Sequence, residues 1–190
     1  MHFIAVRKDL QYFQHLHPDY QDATGEFSVN VTFPTDGTYS LFPDFTPGIN
    51  NPEKAPVTVY HDLNIGDLSK YKAQTVEVDS EAKKTFGEYQ ITYTFPSNVT
   101  KGEDINFSLN IARNGQSMTN LESYLGALGH SVILKENTLD FIHTHAEELS
   151  SKGPYIKFAT TFPESGNYKI FTHFQHQRKV VTTYYVIKVN

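Results

Sequence analysis

Apolar and polar residues alternate along short runs of this chain, and a helical period is hard to find. Runs such as "HFIAVRK", "GEFSVNVTF", "INFSLNIAR" and "VVTTYYVIKV" carry the pattern of strands with one buried face. Gly, Pro, Asn or Asp separates most runs, and Asn114-Gly115 is a pair typical of hairpin turns. Many short strands at this spacing predict an all-β sandwich or barrel rather than a helical or α/β protein.

The chain contains an internal repeat. Under a shift of 128 residues, His2 aligns with His130, Phe13 with Phe141, His15 with His143 and His17 with His145. These four positions are the only identical ones between residues 1–18 and 129–146. Further on, at a shift of 129, "FPTDGTYSLFPDF" aligns with "FPESGNYKIFTHF". Strand residues elsewhere exchange Ile for Val while the imidazoles stay, so the histidine motif occurs twice because a domain occurs twice.

The repeat predicts two tandem immunoglobulin-like (Greek-key) β-sandwich modules. "DGTY" and "SGNY" place Gly-x-Tyr at the start of a strand, as in the tyrosine corner of immunoglobulin-like sandwiches. The second module, residues 88–190, offers seven strands, at 88–95, 105–113, about 128–135, 139–145, 154–162, 167–175 and 180–189. The first, residues 1–65, offers only the last five and lacks the N-terminal strands. Residues 66–87 are the predicted connection, although "AQTVEV" within it could pair as a strand.

Composition removes several classes of function. The formal net charge is -5 with both signs interspersed, so no basic stripe is present to bind nucleic acid or an anionic membrane. No apolar run approaches the roughly 18 residues of a membrane helix. The start, "MHFIAVRKDL", lacks the features of a signal peptide. Cysteine is absent, which excludes disulfides, thiolate metal sites and cysteine nucleophiles.

The histidines are the candidate chemistry. Residues i and i+2 of a strand point to the same face, so each His-x-His motif projects two imidazoles together. Phe141 and Leu139 share the face of the second motif, which predicts that its histidines continue the inward side of the sandwich. The expected metal ligands are His2, His15, His17 and Asp44 in the first module, and His130, His143, His145 and His173 in the second. Strict alternation from Tyr168 would turn His173 away, unless a bulge intervenes as Pro43 hints in the first copy.

Neutral imidazoles at this spacing suit divalent Zn, Cu or Ni, and we expect Cu(II) or Zn(II). With no Cys, and Met only at positions 1 and 118, soft Cu(I) ligation is poorly supported. The alternative is structural, with the rings hydrogen-bonding buried backbone at the end of the sandwich and no metal bound. His61 and His176 have no histidine counterpart and are expected at the surface, and Glu147 and Glu148 are expected to be solvated loop charges.

Four stretches carry a resemblance: "YLGALGHSVIL", "FIHTHAE", "FPESGNYKIFTHFQ" and "TTYYVIKV". They resemble a family of bacterial extracytoplasmic Ig-like sandwich proteins, related to the YtkA-like domains and associated with copper or other heavy metals. The first copy resembles the preceding module of the same proteins, so the likeness spans nearly the whole chain. The resemblance implies metal binding by the histidines named above, and an extracytoplasmic location at the cell surface or in secreted form.

Two departures from that pattern matter. Ala146 stands where the first copy has Pro18, and the first module lacks its opening strands. The second departure predicts that the chain begins inside a longer protein, from which a signal peptide or lipid anchor has been lost. An incomplete sandwich exposes a strand edge and apolar surface. We therefore expect residues 66–87, the second module or another chain to replace the missing strands, and a homodimer through the first module is the preferred outcome.

A metalloenzyme is the competing class. Twin His-x-His β modules are similar to bicupins, which hold iron or manganese with two His, a Glu and a later His. The Glu expected after three or four residues that intervene beyond the second His falls at Leu149 or Ser150, and the later spacing also misses the cupin pattern. Sequence motifs of serine hydrolases, phosphate-binding loops and zinc proteases are absent as well. We therefore predict a binding protein that is not an enzyme.

Overall fold

The structure, a computed structural model, describes residues 1–48, 55–148 and 150–190, and these residues form strands and turns without a helix. The predicted all-β class is confirmed. The chain divides into two compact units, Met1–Thr75 and Val76–Asn190, called here the first and the second unit. In the described ranges there is no helix of the length and apolarity that crossing a membrane requires.

The described residues of the second unit form nine strands. They are Lys83–Phe86 (β8), Tyr89–Thr94 (β9), Asp104–Arg113 (β10), Gln116–Ser117 (β11), Gly129–Lys135 (β12), Phe141–His145 (β13), Tyr155–Thr161 (β14), Gly166–His176 (β15) and Lys179–Val189 (β16). One sheet joins β8, β9, β10 and β11, with β14 also paired to β10. The other has the order β13-β12-β15-β16. The core cluster, which includes Leu109, Phe158, Ile133 and Ile170, draws residues from both sheets, as in a β-sandwich.

All seven strands expected between residues 88 and 190 are present, with ends that move by at most two residues. The predicted connection 66–87 is too long, because its last residues form the strand β8. This strand pairs with β9 through a tight turn at Gly87, whose φ of +58° suits glycine, and Phe86 packs against the core. Its charged residues Lys83 and Lys84 hid the strand pattern. The stretch "AQTVEV" does not form a strand.

The first unit carries the strands His2–Arg7 (β1), Phe13–Leu16 (β2), Asp19–Gln21 (β3), Glu26–Ser28 (β4), Gly37–Phe45 (β5), Val57–Thr58 (β6) and His61–Ile65 (β7). Its main sheet has the order β2-β1-β5, and both β6 and β7 pair with β5. The strands β3 and β4 form a separate two-stranded hairpin whose residues are all exposed. The long strand expected over "GEFSVNVTF" is therefore reduced to Glu26–Ser28.

Proline explains the break between β6 and β7. Both strands pair with β5 in one register, since Asp44 lies opposite Thr58 and Leu41 opposite His61. The break falls opposite Pro43, which has no backbone N–H to donate to the ladder. The carbonyl of Pro43 still accepts from the N–H of Val59, at 2.9 Å. Because the register does not change, Pro43 interrupts the strand without producing the suspected bulge.

The two units repeat the same pairing residue for residue. Ile4 lies opposite His15 in the first unit, as Val132 lies opposite His143 in the second. On the other side of the central strand, His2 lies opposite Asp44, as His130 lies opposite His173. The internal repeat read from the sequence is thus a repeat of strand register.

The predicted tyrosine corners have the expected geometry in both units. The hydroxyl of Tyr39 donates to the carbonyl of Thr35 at 2.9 Å, and that of Tyr168 donates to the carbonyl of Glu164 at 3.0 Å. Both tyrosines are fully buried. Each ring also meets a phenylalanine edge-to-face, with similar centroid distances of 4.8 and 4.9 Å. The motif Gly-x-Tyr therefore has the same structural role twice.

Part of the predicted connection packs on the first unit. The ring of Tyr71 lies under the guanidinium of Arg7, with 5.4 Å between the ring centroid and Cζ. The backbone N–H of Gln74 donates to the carboxylate of Asp9 at 3.2 Å. Residues 71–74 therefore fold back on the first unit, which is one of the three expected ways of covering its sheet.

Candidate metal centre

The histidines of the second unit lie on the face of the sheet β13-β12-β15-β16 that points away from the core cluster. Ile133 and Ile170 belong to that cluster and lie opposite each other across β12 and β15. His130 is three residues before Ile133, so alternation puts it on the other face. The prediction that the His-x-His motif continues the inward side is wrong. The strands here carry apolar residues on both faces, so their pattern could not reveal which face is inward.

The second unit brings three of its predicted ligands together. His145 lies directly opposite His130 across the two strands, and His143 precedes His145 by two residues on the same face. Ring centroids are 4.6 Å apart for His143 and His145, 4.7 Å for His130 and His145, and 5.9 Å for His130 and His143. One ring nitrogen from each lies within 4.8 Å of the other two. The three rings could hold a metal ion.

Burial is graded across these three rings. His130 is fully buried, His143 is half-buried and His145 is exposed. An ion could therefore arrive from the side of His145 while His130 forms the base of the site. In a tetrahedral complex with metal–nitrogen bonds of 2.0–2.1 Å, the ligand nitrogens are about 3.4 Å apart. The ring nitrogens of the three histidines lie within 4.8 Å of one another, a range that includes this spacing.

His130 is oriented by a backbone carbonyl. Its Nε2 lies 2.8 Å from the oxygen of Tyr124, and the Tyr124 ring stands edge-on to the imidazole at 5.9 Å. Because a carbonyl oxygen can only accept, the proton of the neutral ring is assigned to Nε2. The lone pair then lies on Nδ1, which becomes the atom able to bind a metal. The sequence does not predict this contact. It indicates only a tight turn, at "LGALG".

The equivalent rings of the first unit are also clustered, in a different arrangement. Centroids are 4.7 Å apart for His2 and His17, 5.0 Å for His2 and His15, and 5.1 Å for His15 and His17. The Nδ1 of His2 lies 2.8 Å from the Nε2 of His15, so a proton on one of these two atoms is donated to the other in a hydrogen bond. A metal bound to both atoms would have to replace that proton and separate them by about half an ångström. Among the described residues of this unit, no three His, Asp or Glu ligand atoms lie mutually within 4.8 Å.

The predicted fourth ligands are not part of these groups. His173 lies opposite His130 on the same outward face and needs no bulge, because β15 keeps one register from Gly166 to His176. It stands on β15 while His143 and His145 stand on β13, two strand spacings or about 9.6 Å away. Asp44 is buried, and its carboxylate accepts a hydrogen bond from the Thr58 hydroxyl at 3.0 Å.

Among the histidines and glutamates that were expected at the surface, one prediction is wrong. His176 is buried rather than at the surface, because its Nδ1 lies 2.8 Å from the Tyr89 hydroxyl inside the sandwich end. It also contributes to the wall of a polar cavity of about 290 Å³ beside Asn120. His61, Glu147 and Glu148 are exposed as predicted. Leu149, one of the two positions where a cupin would need its glutamate, lies outside the described residues.

Comparison with known proteins gives one result. The family model described as Domain of unknown function (DUF8832) matches residues 1–62 and 83–190, which is most of the chain. A search of the curated proteins found none that matches this chain.

Proposed function

We propose that this chain, which belongs to the family described as Domain of unknown function (DUF8832), binds a divalent transition-metal ion, Cu(II) or Zn(II), without being an enzyme. The single observation that carries the proposal is the cluster of His130, His143 and His145. Their ligand nitrogens lie within 4.8 Å of one another on two paired strands. Three imidazoles from rigid strands form a ligand set that zinc and copper share.

The chemistry of the donors decides the class of metal. Imidazole nitrogen is a borderline ligand that suits Zn(II) and Cu(II), whereas Ca²⁺ and Mg²⁺ prefer oxygen. No thiolate is available in the chain, and the three rings bring no negative charge. The bound ion would keep its full charge and one or more positions for water or another ligand.

The two units support the same proposal unequally. The second brings three ligand nitrogens within 4.8 Å of one another, whereas the first holds His2 and His15 together by a hydrogen bond between their rings. We therefore assign the stronger site to the second unit. The first unit, with His2 on β1, His15 on β2 and His17 just beyond the end of β2, is a weaker site that opens only when a metal displaces the proton between His2 and His15.

A structural role without metal is the second candidate, and one observation favours it. The bond from His130 Nε2 to the Tyr124 carbonyl is what a histidine that stabilises backbone would make. In that case His143 and His145 would tolerate substitution at no cost to any binding property. Metal binding and the structural bond use different ring nitrogens, so the two roles are compatible in one residue.

Location and assembly are further parts of the proposal. We propose an extracytoplasmic protein on the strength of the resemblance to metal-associated surface proteins. We also propose self-association through the first unit, where Phe3, Leu16 and Leu41 remain only half-buried on the face equivalent to the core side of the second unit. Sedimentation equilibrium of the full chain tests this, and a monomer at every concentration contradicts it.

Elemental analysis of the purified protein tests the main proposal. Protein isolated without added metal, then dialysed against equimolar Zn(II) and Cu(II), should retain about one ion per chain at the stronger site. Titration of the metal-free chain by calorimetry gives the affinity. Absence of retained metal, together with no heat on titration with either ion, would leave the structural role as the function.

A further inference from the structure

A short loop, residues Leu121–Leu128, covers the buried base of the candidate site. Its tip is a two-residue turn in which Tyr124 and Ala127 exchange backbone hydrogen bonds of 2.8 and 3.2 Å. Both central residues have positive φ, +54° at Leu125 and +85° at Gly126. That conformation is easy for Gly126 but costs energy at Leu125, so the surrounding contacts must hold the turn in place.

Glu122 supplies those contacts. Its backbone N–H donates to the carbonyl of Gln175 at 2.9 Å. Its carboxylate accepts from the side-chain amide of Gln175 at 2.8 Å and from the backbone N–H of Arg178 at 2.9 Å. These hydrogen bonds, from Gln175 first and then from Arg178, lower the pKa of the Glu122 carboxyl. The loop is thereby tied to the end of β15 and to its turn into β16.

The same loop holds the ring of His130. The carbonyl of Tyr124 accepts both the turn bond from Ala127 and the bond from His130 Nε2, which its two lone pairs allow. A cation on Nδ1 draws electron density from the ring and makes the Nε2–H a stronger donor. Metal binding therefore tightens the contact between His130 and the loop. By linkage, displacing the loop weakens metal binding by the same factor.

We propose that His130 binds the metal through Nδ1, and that the loop Leu121–Leu128, anchored by Glu122, is a positioning device that sets the affinity of the site. The inference rests on the proposed metal-binding function and adds its regulation. A change that loosens the turn between β15 and β16 releases Glu122, then Tyr124, then the orientation of His130. Glu122 is a positioning residue in this scheme and does not contact the ion.

The first experiment reads the ring proton directly. The full chain is labelled with ¹⁵N-histidine, and long-range ¹H–¹⁵N spectra are recorded at pH 7.5 before and after addition of Zn(II). His130→Gln identifies the signals of His130. We expect a protonated Nε2 in the metal-free protein and a zinc-dependent shift at Nδ1. A ring protonated at Nδ1 before zinc, or ligated through Nε2 after it, overturns the inference.

The second experiment tests the anchor. Glu122→Ala should weaken Zn(II) binding about 10-fold, in the range seen for residues that orient a ligand. Glu122→Gln keeps an oxygen acceptor and should recover most of the loss. Glu164→Ala removes the same charge from an exposed carboxylate that pairs with Lys135, and serves as the matched control. Unchanged zinc affinity in Glu122→Ala would overturn the role of the loop.

The two proposals fail in different ways. If the wild-type chain binds no zinc, the proposed function is wrong, while the tautomer of metal-free His130 still shows whether the loop sets the ring. If zinc binds but the His130 signals report ligation through Nε2, metal binding stands and the positioning scheme is wrong. Should Glu122→Ala not fold, Glu122→Gln and the wild-type spectra still decide the result.

Discussion

The same alternation of apolar and polar residues gives a long paired strand in the second unit, whereas in the first unit most of the equivalent segment is not a strand. Residues 155–161 of the second unit pair with β10 over seven positions, from Tyr155 to Thr161. The equivalent run of the first unit, "GEFSVNVTF", forms a strand only at Glu26–Ser28. The described part of the first unit has no counterpart of β10. Alternation of apolar side chains therefore makes a segment able to form a strand, and a partner strand decides whether it does.

The histidines teach the complementary lesson. Register is identical in the two units, yet the rings meet differently. In the second unit a carbonyl from the loop Leu121–Leu128 accepts a hydrogen bond from His130, while in the first the rings of His2 and His15 are hydrogen-bonded to each other. Strand pairing places imidazoles near one another, and the hydrogen bonds that each ring makes decide which of its nitrogens carries the proton.

The largest expected effect removes the better site. His143→Ala combined with His145→Ala should weaken Zn(II) and Cu(II) binding by the second unit more than about 100-fold, beyond the usual cost of changes outside the ligand set. His15→Ala combined with His17→Ala is the matched pair in the first unit and should affect only the weaker site. Calorimetric titration of the metal-free variants measures both. Wild-type affinity in the first double variant would show that the assignment is wrong.

Acid should release the metal. A histidine binds a metal only when neutral, and an ordinary imidazole has a pKa of about 6.5. Lowering the pH from 7.5 to 5 should therefore reduce the affinity for the metal progressively, because protons compete with it for the ligand nitrogens. Zn(II) titrations at several pH values, with competition by a chelator of known pH dependence, provide the measurement. An affinity that does not change over this range would point to carboxylate ligands.

A buried ion pair should stabilise the first unit, whereas the corresponding pair in the second unit is exposed and should contribute little. Asp9 and Arg7 form a buried pair at 2.8 Å, whereas the corresponding Lys135 in the second unit pairs with exposed Glu164. Asp9→Asn should destabilise the first unit by about 2 kcal/mol, somewhat less than for a fully buried pair because part of Arg7 stays exposed. Glu164→Gln should have no measurable effect. Hydrogen exchange of the two units in the full chain separates the outcomes, and an equal loss in both units would contradict the comparison.

The effect of Asp9 should also depend on pH. Burial raises the pKa of its carboxyl, but hydrogen bonds from Arg7 and from the backbone N–H groups of Gln74 and Gln11 outweigh it, so the pKa is lowered. A lowered pKa gives stability that is present above the ordinary value of about 3.9 and is lost as the pH falls through the folded-state value. Asp9→Asn and wild type should therefore converge in stability near pH 2. A constant difference down to that pH would argue against ionisation of Asp9 as the cause.

The smallest effect should be equal in the two units. Tyr39→Phe and Tyr168→Phe each remove a hydroxyl that donates to a backbone carbonyl four residues earlier. Each substitution should lower the free energy of unfolding by about 1 kcal/mol, because it removes one hydrogen bond and leaves a backbone carbonyl without its donor. Denaturant unfolding monitored by hydrogen exchange gives the two values side by side. A difference of several-fold between them would show that the two corners are not equivalent.

Much of the fold could be predicted because β-strand information is local. The seven strands after residue 88 follow from alternation and from the Gly, Pro, Asn and Asp that bound them. The strand β8 was missed because Lys83 and Lys84 mask its pattern, and His176 was misplaced because a lone polar side chain gives no sign of a buried partner such as Tyr89. The trio His130, His143 and His145 was predicted from the same-face spacing of His-x-His together with its recurrence in both copies.

The sequence by itself determined the all-β class, the repeat, the tyrosine corners and the identity of the clustered histidines, because side-chain alternation and turn residues act within a few positions. Only the tertiary structure decided which face of the sheet the histidines occupy, since strands that are apolar on both faces read the same in either orientation. It also decided that His173 stands a strand away from His143 and His145. The carbonyl of Tyr124 reaches His130 through a loop whose path depends on Gln175 and Arg178, residues about fifty positions away in the chain.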